Sequence, residues 1–189
     1  MTMLSLRDYA KQILMDKPVI VPRTPELTAK FNRISNVIYN CPHKNPSKRS
    51  FATVEACVDK MAIEHALAQV TGFKVNDAKF DHTNRHTYAY DVIDCECNVR
   101  FECKNWAEKW LTFYKHQIAT MLKNIDLVDY LVSAKVVKKR DCYEVTFYLV
   151  ADAKTFNNYV QPSKFNGKMY YDHFTAMRCG DAVYRDHAN

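Results

Sequence analysis

Three stretches of this chain place an acidic residue two positions before a lysine: Asp77-Ala-Lys79, Glu102-Cys-Lys104 and Asp152-Ala-Lys154. Side chains of a strand alternate between faces, so Glu102 and Lys104 point one way while Phe101 and Cys103 point the other. Upstream, Tyr88-Ala-Tyr-Asp-Val-Ile-Asp94 supplies Asp91. A turn centred between Glu96 and Cys97 pairs 94 with 99, 92 with 101 and 91 with 102 in an antiparallel ladder. Asp91 and Glu102 then become cross-strand neighbours on one face, with Cβ atoms about 5 Å apart. Like charges so placed repel unless something positive stands between them, and a hard divalent cation such as Mg²⁺ prefers oxygen ligands of this kind. Lys104, on the same face, can orient or polarise a water beside the ion.

The other two triplets lack this arrangement. Asp141 precedes Asp152 by the same eleven positions, but Tyr143 to Val150 reads as one uninterrupted strand. Such a strand holds the two acids about 30 Å apart, too far to share an ion. Asp77 has no preceding strand to supply a partner, only a helix carrying Asp59. Asp94 pairs with Val99 and so faces away from Glu102. On the helix before the sheet, Met61-Ala-Ile-Glu-His-Ala-Leu-Ala-Gln69 sets Glu64 among small and apolar residues. Glu64 there can complete the metal's surroundings or bind a second ion, against the alternative of an exposed helix charge, with Glu55 as the fallback acid.

Two further groupings invite chemistry and do not sustain it. Cys95, Cys97 and Cys103, with His82 and His86 upstream, lack the paired spacing of zinc knuckles, and small buried thiols are the better account. Cys57 with His65 has no third group to orient it as a nucleophilic pair.

The elements that must position these residues follow from pattern. Leu4–Met15 reads as a helix with Leu4, Tyr9, Ile13 and Leu14 inward, and Thr24-Pro25 as an N-cap and first turn of a second helix running to about Tyr39. Residues 40–50 form a basic loop broken by prolines. Helical spacing from Phe51 to Val70 ends at the Thr71-Gly72 cap. Strands follow over 73–80, 87–94 and 99–104, then a helix over 106–124, strands over 130–137 and 142–150 around Lys138-Lys139-Arg140, and a short helix near 153–159. Residues 161–189 read as an irregular, aromatic segment.

A helix bearing an acid, a strand, Asp91 ten residues before Glu102-Cys-Lys104, a helix and a further strand together resemble the PD-(D/E)XK nuclease superfamily over about residues 51–150. Tyr90 stands where the name-giving proline would be, as in many members that lack it. The resemblance implies that Asp91 and Glu102 bind Mg²⁺ or Mn²⁺, that Lys104 assists the attacking water, and that Glu64 supports the metal. It also implies the backbone carbonyl of Cys103 as a further ligand. Some members carry a functional glutamine on the next helix; Gln117 is the candidate, beside the plainer reading of a surface glutamine. The implied chemistry is metal-assisted phosphodiester hydrolysis.

Composition sets the limits around that reading. The chain has 189 residues, 48% apolar and 25% charged, which is the ordinary composition of one globular domain and excludes disordered and collagen-like classes. Three glycines leave no glycine-rich phosphate cradle, so P-loop and dinucleotide folds are excluded. No apolar run is long enough to span a bilayer and no secretory signal opens the chain. Seven cysteines, an odd number, suit reduced thiols in the cytoplasm. The net charge of +6 lies in residues 1–54, which hold nine Lys and Arg against three acids. That excess suits a polyanion. Lys44, Lys48, Arg49, Arg100, Lys115 and Gln117 are the candidate nucleic-acid contacts.

The expectation is a single α/β domain with a central mixed β-sheet flanked by helices. It has a restriction-endonuclease-like core over 51–160 and a basic helical N-terminal extension over 1–50. It is expected to act as a Mg²⁺-dependent nuclease, with DNA the substrate on the family's habits. An RNA endonuclease of the same fold and a non-catalytic nucleic-acid-binding protein are the alternatives. No membrane partner is expected, and a homodimer is left open.

Overall fold

The computed structural model describes residues 4–40, 53–76, 89–106, 111–164 and 167–186. They form helix α1 (Leu6–Ile13), strand β1 (Val19–Pro22), helices α2 (Pro25–Asn40) and α3 (Val54–Thr71), and strands β2 (Lys74–Val75), β3 (Val92–Asp94), β4 (Val99–Asn105) and β5 (Thr112–Phe113). Then come helix α4 (Lys115–Lys123), strands β6 (Tyr130–Lys138), β7 (Cys142–Asp152), β8 (Val160–Pro162) and β9 (Met169–Tyr171), helix α5 (His173–Cys179) and strand β10 (Ala182–Tyr184). The fold is mixed α/β. Its central sheet runs β1-β7-β6-β4-β3-β2, with β10 on the same edge of β7 as β1, and a small sheet β5-β9-β8 lies beside it. Among the described strands only β4 and β6 pair in parallel; the crossover between them carries α4.

Helix caps are where their residues predict. The Thr24 hydroxyl accepts the Leu27 N–H at 3.1 Å, and Gly72 ends α3 in the left-handed conformation at φ +75°. Helix α3 is buried on nearly every side, through Cys57, Val58, Met61, Ala62, Ile63, Ala66 and Leu67, because it lies between α1, α2 and the sheet. These helices and Val92, Val99, Phe101, Cys103, Tyr143, Val145 and Phe147 enclose one core. The opposite face of the sheet packs Leu131, Leu149 and Ala151 against Trp106, Phe113, Ile118, Phe156 and Tyr171.

Strand β7 serves both cores by changing parity. Opposite it, Ser133 pairs with Leu149 but Ala134 with Phe147, so Tyr148 is an extra residue in a bulge. Before the bulge odd-numbered residues face the first core; after it Val150 does, and Leu149 and Ala151 face the second.

Several expected elements differ. Of the helix expected over 106–124, the described residues hold Lys115–Lys123, while Leu111 and Phe113 are buried on the small sheet, where Thr112 pairs with Tyr170; residues 107–110 lie outside the described residues. Strand β1 falls among prolines that suggested only helices and turns. As an edge strand it tolerates Pro22, which needs no N–H in the ladder. The strand expected over 73–80 is described only as β2. The C-terminal region, expected to be irregular over 161–189, holds β9, α5 and β10, and the last of these joins the central sheet.

Candidate active site

Strand β4 alternates as its sequence requires: Val99, Phe101 and Cys103 are buried in the first core, and Arg100, Glu102 and Lys104 share the other face. The ladder with β3 pairs Val92 with Phe101 and Asp94 with Val99, the register expected from the turn. Asn98 takes a positive φ of 54° in that turn, and the Asp94 carboxylate accepts the Glu96 and Cys97 N–H groups. The Tyr9 hydroxyl donates to Asp94 at 2.9 Å, so Asp94 is turned toward α1 and away from Glu102.

Asp91 was expected as a direct ladder neighbour of Glu102. Instead β3 begins at Val92, and Asp91 occupies a bend beside the edge of β4. Its N–H donates to the Phe101 carbonyl at 2.8 Å and its Oδ2 accepts the Cys103 N–H at 2.8 Å, so the side chain continues a ladder that the backbone leaves. Asn76 clamps the bend, its N–H on the Asp91 carbonyl at 2.8 Å and its amide on the Tyr90 carbonyl at 2.9 Å.

Lys60 of α3 closes the site, and sequence reasoning missed it. Its Nζ is 3.0 Å from Asp91 Oδ2 and 3.2 Å from Glu102 Oε1. Lys104 Nζ lies 2.6 Å from the same Glu102 oxygen. The signal was available in the helical spacing: Lys60 is four residues before Glu64, on the same face. Glu64 is fully buried, at 0% exposure, so the reading of an exposed helix charge is set aside. Burial pulls the Lys60 ammonium toward neutrality, but Asp91, Glu102 and Glu64 outweigh it and hold its pKa well above the ordinary lysine value. Burial, reinforced by Asp91 and Glu64, raises the Cys103 thiol well above the usual range, so that sulfur stays protonated.

Two carboxylate oxygens from separate segments thus converge on one cationic position. Among the described residues no three His, Cys, Asp or Glu side chains are close enough to hold a metal ion by themselves. Mg²⁺ is commonly held by one or two carboxylates, with waters and phosphate oxygens completing its shell, so Asp91 and Glu102 fit such an ion as a pair.

The other candidates fall as follows. Arg100 lies on the face of Glu102 and Lys104, its guanidinium 5.6 Å from the centre of the Tyr90 ring. Lys115 opens α4 and is exposed. Gln117 acts in the cap of that helix, its side chain accepting the Tyr114 N–H at 2.9 Å. Lys44, Lys48, Arg49, Asp77, Lys79, His82 and His86 lie outside the described residues. Asp152 and Asp141 flank opposite ends of β7, and Asp152 Oδ1 accepts the N–H groups of Lys154 and Thr155 in a turn. Of the three thiols weighed for zinc, Cys103 is buried as expected, but Cys95 is exposed and Cys97 half-buried because both sit in the turn after β3. No described helix is long and apolar enough to cross a membrane.

Residues 8–172 match the model of the family described as Bacteriophage T4 endonuclease IV. No curated protein and no solved structure matches the chain.

Proposed function

The chain belongs to the bacteriophage T4 endonuclease IV family, and from that premise we propose that it is a divalent-metal-dependent DNA endonuclease with a PD-(D/E)XK-type centre at Asp91, Glu102 and Lys104. The observation that carries the reading is the convergence of Asp91 Oδ2 and Glu102 Oε1 on one cation position, with Lys104 on the same glutamate oxygen. Binding alone gives no reason to set two acids side by side facing a polyanion.

A bound Mg²⁺ or Mn²⁺ would supply Lewis-acid polarisation of the scissile phosphate and a water of lowered pKa. The chain's own groups do the rest. Asp91, at 3% exposure and held through the Cys103 N–H, is a fixed oxygen ligand. Glu102, more exposed at 14%, can adjust its carboxylate without moving β4. Lys104 places an ammonium where negative charge grows on the phosphoryl oxygens and the attacking water. Glu64, fully buried on the same face of α3 as Lys60, helps to hold the Lys60 ammonium in its charged form. Arg100 and the basic N-terminal segment hold the substrate backbone through phosphate contacts.

The test is hydrolysis of supercoiled plasmid, linear duplex, single-stranded DNA and RNA with Mg²⁺, Mn²⁺ or EDTA. Wild type is compared with Lys104→Ala and Asp91→Asn, both checked for folding. Ion-dependent cutting of DNA that both variants lose is expected. Cutting of RNA alone would reassign the substrate. Salt-sensitive binding without cutting, unchanged in either variant, would sink the nuclease reading.

A further inference from the structure

Lys60 stands where the two carboxylates meet, 3.0 Å from one and 3.2 Å from the other, with only 19% of its side chain exposed. Two acids set against each other in a mostly dry notch repel, and this ammonium offsets the repulsion. The same two oxygens are the ligands assigned above to a divalent ion. Mg²⁺ sits about 2 Å from its oxygens, so ion and ammonium cannot both lie between them.

We propose that Lys60 is a built-in competitor of the divalent ion: it keeps Asp91 and Glu102 in register before the ion binds and leaves the notch when the ion arrives. The inference rests on the metal-dependent reading above. The residue type suits the role, since lysine carries a compact charge on a flexible four-carbon stem and can withdraw without disturbing the helix. Arginine, with a rigid planar fork, could not leave so readily.

The test is calorimetric titration of Mn²⁺ into the full chain, with unfolding temperatures measured with and without the ion. Lys60→Met is the first variant. Lys60→Gln, which keeps a hydrogen-bond donor, serves where the methionine form does not fold. The neutral variants should bind Mn²⁺ about tenfold more tightly than wild type or better, the range of an ordinary coupling between competing ligands. They should melt below wild type without the ion and gain more from it. In wild type, the Lys60 ammonium signal seen by nitrogen-15 NMR should lose its protection from exchange when Mg²⁺ is added.

Equal or weaker Mn²⁺ binding by the variants, while wild type cuts DNA with the ion, overturns the role of Lys60 and leaves the nuclease reading standing. A Lys60 signal unchanged by Mg²⁺ in that same active protein does likewise. No ion binding and no cutting by any form overturns both.

Discussion

Asp91 and Glu102 share Lys60 but bear different structural loads. Asp91 is buried and also holds the Cys103 N–H, so Asp91→Ala strands a backbone donor and part of a buried ion pair. A loss of about 3 kcal/mol in urea unfolding is expected. Glu102→Gln keeps an acceptor near both lysines and leaves Lys60 its contact with Asp91. Its cost should stay below about 1 kcal/mol. Both changes should lower DNA cleavage at least about 100-fold. Equal stability losses would show that the Cys103 contact has no structural weight. Strand alternation and the position of the turn made Asp91, Glu102 and Lys104 legible in the sequence. Lys60 shares the helix face of Glu64 in the sequence, but a lysine next to Asp59 on a helix that also bears Glu55 reads as a charge that reaches solvent. Its partners lie on segments 31 and 42 residues downstream, and only the folded chain brings them to it.

At the scale of elements, α3 carries Lys60 and Glu64 and must stop before β2. Gly72 makes that stop at φ +75°, a conformation in which a Cβ is unfavourable although nothing lies within 4 Å to clash with it. Gly72→Ala should therefore cost about 1 kcal/mol, or about 2–4 °C in Tm, through backbone strain alone. An unchanged Tm would show that the helix end relaxes. The turn from β3 to β4 offers a second check. Tyr9→Phe removes the hydroxyl from Asp94, and a loss of about 1–2 kcal/mol is expected from this buried bond to a charged group. Three elements were legible from local signals: α3 from its apolar spacing and its glycine cap, and β6 and β7 from their β-branched and aromatic residues. Two others were not. Strand β1 has four residues bounded by prolines, and its partner Cys142–Val145 lies more than a hundred positions away. Phe113 falls into the helical spacing of Trp110, Ile118 and Met121, and only the pairing of Thr112 and Phe113 with β9 decides against a helix there.

For the whole molecule, pH reads the two cores from opposite sides. His173 on α5 is buried among Trp106, Phe174 and Tyr184, and burial lowers its pKa below the ordinary 6.5. The unfolded chain therefore takes up that proton first, so the stability it confers is present above pH 6.5 and lost as pH falls through the folded value. Cys57 on α3 behaves oppositely. Burial raises its thiol from 9.0 to about 11, so its contribution is full below pH 9.0 and is lost as pH rises toward 11. Burial also raises Tyr9, with Asp94 adding to the effect, and this reinforces the alkaline limb. Urea unfolding across pH 5 to 11 should show a plateau between these limbs. His173→Phe should flatten the acid limb alone. Cys57→Ala should flatten part of the alkaline limb by no more than about 3 kcal/mol, leaving the tyrosine share. Because α3 and α5 pack on opposite faces of the central sheet, the double variant should show the sum of the two changes to within about 0.5 kcal/mol. A larger departure would mean that the sheet transmits strain between its cores, and the bulge at Tyr148, where β7 passes from one core to the other, would be the place to look.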